Sequence, residues 1–369
     1  MANLAYVLCS LLSIFINFET CFVHYKQQPL QVNGHRKALF VFGDSLFDPG
    51  NDVYVKTSLK LSSIYWPYGE TFFHRATGRF SDGRVVPDFI ATFAGLAILP
   101  PYVQPGPHVF TDGTNFASGG SCVLFNSSEY IDLPIQVIYF KHVVELLKEQ
   151  VGETEAKRIL TDAVYLFSSG GNDYVKFYDE HPDANEESMK AFVKLVTGQL
   201  HNYLLLYMLQ EITKLGAKKI AFQNVGPMGC VPGNRMSDGQ CNEKENLLAR
   251  EHNKALIQVM KQLEGEVPGF KYSILDYYPS LRDRIFNPRK YGFKEGQVAC
   301  CGGGAFRAKF VCGGYGEYPF EACKNPSEYL WFDGLHTTEE ANLQLSRLIW
   351  KGGPLNITYP YTVQQLFHL

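Results

Sequence analysis

Apolar residues along this chain follow two periods. Short, dense runs read as buried strands: Lys37–Phe42 (KALFVF), Asp162–Phe167 (DAVYLF), Lys218–Phe222 (KKIAF) and Lys271–Asp276 (KYSILD). Longer stretches with apolar positions three and four apart read as helices: Val137–Gln150, Met189 to about Leu215, Asn242–Leu263 and Thr338–Trp350. Gly216 stops the second of these helices, and Gly352, Gly353 and Pro354 stop the last. Strands alternating with helices predict one α/β domain, roughly residues 37–353, with a parallel sheet covered on both faces. Sheets of that kind bind ligands beyond the C-terminal ends of their strands.

The N-terminus follows a different pattern. Leu4–Phe18 is apolar except for Ser10, Ser13 and Asn17. It is too short for a membrane span, which needs about 20 residues, and fits the apolar region of a signal peptide. We expect residues 1–23 to be that signal, with cleavage between Thr20 and His24, although no Lys or Arg precedes the run. No later stretch is apolar enough to cross a bilayer, so the expected product is soluble and exported.

Composition narrows the possibilities. The 369 residues are 46% hydrophobic and 19% charged, enough apolar mass for one large core. The net charge of −3, with no Lys/Arg stripe, argues against a nucleic-acid partner. The 27 Phe and 22 Tyr suit a packed core and a lipophilic pocket equally. Of nine cysteines, Cys9 and Cys21 lie in or beside the signal, and seven lie in the body. Four of these, Cys300, Cys301, Cys312 and Cys323, cluster in a Gly-rich stretch. They do not form two CxxC pairs, and adjacent cysteines are awkward ligands for one tetrahedral zinc. Disulfides are therefore expected, with no metal and no cofactor. Cys230 and Cys241 bracket a turn-rich loop and could pair across it. Seven is odd, so at least one thiol is left over unless Cys21 survives processing. Asn126-Ser-Ser and Asn356-Ile-Thr are candidate glycosylation sequons on surface loops.

Four segments carry candidate chemistry. Gly43-Asp-Ser-Leu46 follows the first strand directly. A serine hydroxyl there is exposed at a strand end, where a base can activate it. A helix following it would aim N–H groups at developing negative charge. The same residues also suit a plain Asx/Ser turn that caps the helix. Near the other end, Asp333-Gly-Leu-His336 places a carboxylate and an imidazole three residues apart. A carboxylate on one imidazole nitrogen fixes the tautomer and frees the other nitrogen as a base. A surface contact capping the last helix would need the same spacing. Asn115-Phe-Ala-Ser-Gly-Gly120 and Gly170-Gly-Asn-Asp173 are small-residue turns that could offer donors to an oxyanion, or be turns and nothing more.

Taken together and in order, these four segments resemble the blocks of the GDSL esterase/lipase family, the SGNH hydrolases. Phe47-Asp-Pro-Gly-Asn51, Tyr68-Gly-Glu, Thr77-Gly-Arg-Phe-Ser-Asp-Gly83, Asn224-Val-Gly-Pro-Met-Gly-Cys230 and Cys300-Cys-Gly look like its plant branch. The resemblance covers residues 37–353. It implies a flavodoxin-like three-layer α/β/α sandwich and an ester hydrolase with Ser45 as nucleophile, His336 as base and Asp333 orienting the base. The N–H groups of Ser45 and Gly120 and the amide of Asn172 would form the oxyanion hole, and Asp44 would brace the first loop. Cys122 departs from the small residue common after Gly-Gly-Ser. The implied partner is a small-molecule or lipid ester, met by a monomer. No Gly-x-Ser-x-Gly, HExxH or P-loop sequence is present, which disfavours an α/β-hydrolase lipase, a metalloprotease or a nucleotidase. An acyltransferase using the same acyl-enzyme remains open, as does a binding protein that keeps the fold without turnover.

Overall fold

The structure, a computed structural model, describes residues 37–55, 62–124, 129–204, 218–309, 311–313 and 319–369. The expected signal segment and the sequon at Asn126 lie outside them. Five short strands are parallel: β1 (Leu39–Gly43), β2 (Gly113–Asn115), β3 (Val164–Ser168), β4 (Lys219–Gln223) and β5 (Lys271–Leu275). A small hairpin, β6 (Cys301–Gly302) with β7 (Glu321–Ala322), stands apart from the sheet. The last strand, β8 (Thr358–Pro360), pairs antiparallel with β5 and closes one edge. The order is β2-β1-β3-β4-β5-β8, a flavodoxin-like order with one strand added. The expected sheet is therefore parallel only over its first five strands. The fold also continues past Gly353, because Val363 and Leu366 bury beyond β8.

Side chains alternate across each strand with period two, and here the two faces differ in kind. Phe40 and Phe42 of β1, Tyr165 and Phe167 of β3, and Ile220 and Phe222 of β4 point to one face. Leu39, Val41, Val164, Leu166 and Ala221 point to the other. On the first face Phe42 stacks on Phe167 at 4.7 Å, and Phe167 on Phe222 at 5.8 Å. Registered neighbours across parallel strands thus form a ladder of rings. Covering that face are α2 (Leu133–Val151), α3 (Glu153–Asp162), α4 (Gly171–Glu180), α5 (Glu186–Asn202) and α6 (Glu243–Glu266). The aliphatic face packs against α1 (Val86–Ala94), α7 (Tyr277–Phe286), α8 (Glu339–Lys351) and the short α9 (Val363–Leu366). The expected stretch from Met189 to Leu215 is helical from Glu186 to Asn202, and residues 205–217 lie outside the described part.

The body cysteines pair as Cys230–Cys241, Cys300–Cys323 and Cys301–Cys312, and Cys122 is the free, buried thiol. Cys300 and Cys301 are neighbours, and their sulfurs go to different partners. Their bonds close stretches of 23 and 11 residues, each removing unfolded-state freedom worth about 3 kcal/mol in the chain-entropy account.

Phe140 on α2 locks the aromatic face, its ring meeting Phe40, Phe42, Phe116 and Tyr165 at 5.2–6.1 Å. Phe140→Ala should destabilise the fold by about 3–5 kcal/mol, measured by urea unfolding, because the cavity is walled by rings that cannot collapse into it. A loss below about 1 kcal/mol would show that this face repacks freely.

Candidate active site

In the sheet order, β1 leads to β2 on one side and to β3 on the other, so a crevice opens beyond the ends of β1 and β3. Ser45 follows β1, and Asn172 sits in the first turn of α4, directly after β3. The α-helix expected after Ser45 is not there. A turn takes its place, with the Phe47 and Asp48 N–H groups donating to the Asp44 carbonyl, followed by a single 3-10 turn at Asn51–Tyr54. Asp44 Oδ1 accepts from the Leu46 N–H at 3.0 Å, so Asp44 does brace the loop.

Gly43 takes φ of +154°, and a Cβ there would collide with the Ser168 carbonyl oxygen. Only glycine lets β1 run this close to β3 while turning out to Ser45. Gln136, buried in α2 among Leu133, Val137 and Phe140, holds that backbone. Its Oε1 accepts from the Gly43 N–H at 2.9 Å, and its Nε2 donates to the Gly43 carbonyl at 2.8 Å. The same Nε2 lies within hydrogen-bond reach of Ser121 Oγ and the Ile131 carbonyl. Ser118 N–H also donates to the Gly43 carbonyl at 3.1 Å. The loop carrying Gly120 is thereby fastened to the strand carrying Ser45. Gly120 has φ of +76°, and a Cβ there would strike the Tyr130 ring.

From the far end of the chain, Asp333 and His336 arrive on a bend rather than on a helix. Asp333 Oδ1 accepts from the Leu335 and His336 N–H groups, each at 2.8 Å, which fixes the bend. His336 Nδ1 lies 2.8 Å from the same oxygen, and His336 Nε2 lies 2.8 Å from Ser45 Oγ across 291 residues of sequence. Ser81, Asp82 and Arg84 anchor this segment from the other side of the chain. Ser81 Oγ donates to the Thr337 carbonyl, Asp82 Oδ1 accepts from the Glu339 N–H, and Arg84 pairs with Glu339.

Two further groups bear on the imidazole pair, and spacing alone did not single them out. Tyr68, fully buried, donates its hydroxyl to Asp333 Oδ2 at 2.7 Å. The Phe80 ring lies 4.8 Å from the His336 ring. Burial pushes the Asp333 carboxyl up, but the His336 charge and the donors around it outweigh burial and hold it below the ordinary carboxylate range. Both aromatic residues lie inside segments that resemble family blocks, which was the one available signal for them.

Ser45, Asn172 and His336 open on one cleft. Leu46, Val175, Val225, Met228, Val231 and Leu281 give it mainly apolar walls. Gly120 is not one of the residues lining this cleft, and the carbonyl of its neighbour Ser121 accepts from Asn172 Nδ2 at 2.9 Å. Asp173 ties the same loop down, its carboxylate accepting from the Val123 and Leu124 N–H groups. Asn356 is exposed, in a turn before β8. No described group of His, Cys, Asp and Glu is arranged to hold a metal.

An open α/β sheet with a serine, a histidine and an aspartate in hydrogen-bonded sequence at its switch point is the arrangement of a serine hydrolase. The GDSL-like lipase/acylhydrolase family model matches residues 39–349, and the chain belongs to that family. GDSL esterase/lipase 1 of Arabidopsis thaliana is 42% identical over 91% of both chains. A GDSL lipase of Tanacetum cinerariifolium is 40% identical over 89% of this chain and 87% of its own. A third relative, 32% identical over 90% of this chain, is described as an inactive GDSL esterase/lipase-like protein of Arabidopsis thaliana. Turnover therefore has to be argued from the residues of the site itself.

Burial raises the Asp44 carboxyl from 3.8 to about 7, against the Leu46 N–H and the His336 charge, which lower it. The native state then holds a proton that the unfolded chain has released, so this group lowers stability as pH rises from about 4 to about 7. Asp44→Asn removes the effect. Between pH 5 and pH 7.5 the unfolding free energy of Asp44→Asn should gain on wild type by an amount on the order of a few kcal/mol. A constant difference across that range would show Asp44 to be ionised throughout.

Proposed function

We propose that this chain is a serine esterase/lipase that cleaves carboxylic esters through an acyl-enzyme on Ser45. The observation that carries the reading is the unbroken chain from Ser45 Oγ through His336 to Asp333, opening on an apolar cleft beside Asn172. His336 Nε2 takes the Ser45 proton as Oγ attacks the ester carbonyl carbon. The carbonyl electron pair moves to oxygen and is met by the Ser45 N–H and the Asn172 amide, both at the cleft; the resemblance to the family blocks adds the N–H of Gly120, which is outside the cleft lining. An amide has two donor hydrogens, and one of Asn172's is spent on Ser121, which leaves the other for the oxyanion. Collapse breaks the bond to the alcohol oxygen, which leaves with the proton from His336. Water then attacks the acyl-enzyme, again through His336, releasing the acid and restoring Ser45. Asp333 stays ionised throughout, held by Tyr68 and two backbone N–H groups. An alcohol in place of water would give acyl transfer, which the apolar walls favour by disfavouring water; added alcohol acceptors would reveal it as ester product. Three disulfides support export to an oxidising compartment, with the signal at residues 1–23 and glycans at Asn126 and Asn356 as parts of the same proposal.

Ser45→Ala should lower kcat by at least about 10⁴-fold with the fold intact, and a fluorophosphonate probe should label wild type at Ser45 alone. Labelling at another residue, or near-normal turnover by the variant, would overturn the assignment. His336→Ala should cost as much in kcat on the same ester, and a variant with wild-type kcat would mean that another residue is the base.

Tyr68→Phe deletes one donor to a carboxylate, an interaction worth about 1.5–3 kcal/mol, so kcat/KM should fall about tenfold or more. A kcat/KM within about twofold of wild type would mean that Tyr68 serves packing alone.

A further inference from the structure

A second, open cleft also borders His336. It touches His336 and Asp333 but neither Ser45 nor Asn172, whereas the first cleft touches Ser45, Asn172 and His336. The two share Asn234, Leu335 and His336, so a saddle made by Asn234 and Leu335 joins them. The saddle is a fixed feature. Gly233 N–H donates to the Gly334 carbonyl at 2.8 Å, and Asn234 Nδ2 donates to Glu245 Oε2 at 2.6 Å. Ala308, Val311 and Cys312 form the outer wall, and the Cys301–Cys312 bond ties that wall to the hairpin. Ala308 rests directly on Gly334, where a Cβ would lie 3.1 Å from the Ala308 Cβ. Phe80 and Leu335 give the second cleft apolar surface, while Ser62 and the Tyr68 edge give it a polar end.

We infer that the second cleft binds the alcohol half of the substrate and the first cleft the acyl half. The inference rests on reading the site as an ester hydrolase. In acyl transfer the leaving oxygen must take its proton from His336, so the alcohol departs on the histidine side. The carbonyl oxygen faces Asn172, so the acyl chain lies along the walls next to Ser45. With each half accommodated in its own cleft, the substrate class is an ester joining an apolar carboxylic acid to a bulky, mainly apolar alcohol. Acetyl esters and methyl esters would each leave one cleft empty.

The test uses two series of esters on the full chain. One holds butyrate and varies the alcohol between methanol and 2-naphthylmethanol. The other holds methanol and varies the acid between butyrate and decanoate. Val311 is 63% exposed at the outer wall, so Val311→Trp should fold, checked by its melting temperature. It should lower the naphthylmethyl-to-methyl ratio of kcat/KM at least about tenfold and leave the decanoate-to-butyrate ratio within about twofold. Val175→Phe, in the first cleft, should do the opposite. Val311→Ala, which widens the wall, should raise the naphthylmethyl-to-methyl ratio and covers the case in which the tryptophan variant does not fold. A change in acyl-length selectivity from Val311→Trp, or no change in alcohol selectivity from either Val311 variant, overturns the inference. If wild type turns over none of these esters, the hydrolase reading fails separately, and calorimetric binding of 2-naphthylmethanol decides the subsite. Binding weakened at least about tenfold by Val311→Trp supports it, and equal binding to wild type and variant overturns it.

Discussion

No side chain fits at Gly43, and the rest of the site depends on that. β1 and β3 are registered neighbours, and their rings stack behind the crevice, so the two backbones come close where Ser45 and Asn172 leave the sheet. A Cβ at Gly43 would meet the Ser168 carbonyl, pushing the strand ends apart and moving Ser45 away from Asn172. Gln136 makes the approach a fixed one. A single buried amide satisfies both backbone groups of Gly43 and also reaches the Gly120 loop. A buried amide can be stable there only because its donors and acceptor all find partners.

His336 reaches this platform from the opposite end of the chain, and its position is set by a different set of contacts. Asp333 gathers the backbone of its own bend, the imidazole and the Tyr68 hydroxyl, so every strong acceptor site on the carboxylate is used. That explains how a carboxylate so deeply buried stays ionised while Asp44, with one backbone donor, is pushed up. Ser81, Asp82 and Arg84 anchor the start of α8, and the disulfide-tied hairpin walls the other flank. His336 therefore borders two clefts, joined by Asn234 and Leu335.

Family membership and site chemistry support each other without being the same evidence. Identity near 40% over nine-tenths of the chain gives the family. A relative described as inactive shows that similarity to the family does not by itself carry turnover. The distances between Ser45, His336 and Asp333 are what argue for turnover here.

The sequence by itself determined the elements that local chemistry dictates. Apolar runs marked the four central strands, because a strand buried on both faces has no room for polar residues. Glycines marked the turns at Gly43 and Gly170, and the DxxH spacing marked a carboxylate and an imidazole that could meet on one bend. Tertiary structure decided what depends on distant partners. The edge strand β8 is three residues long, too short for a period to show, and exists because β5 offers it an unpaired edge. The helix expected after Ser45 gave way to a turn, because Asp44 and Asp48 use their side chains to hold backbone N–H groups locally. Gln136 reads in sequence as an ordinary polar helix position, and Tyr68 as one of 22 tyrosines. Their roles come from meeting Gly43 and Asp333 at separations of 93 and 265 residues. A periodic pattern reports that a side chain is buried; which group it meets there is set only when the chain closes on itself.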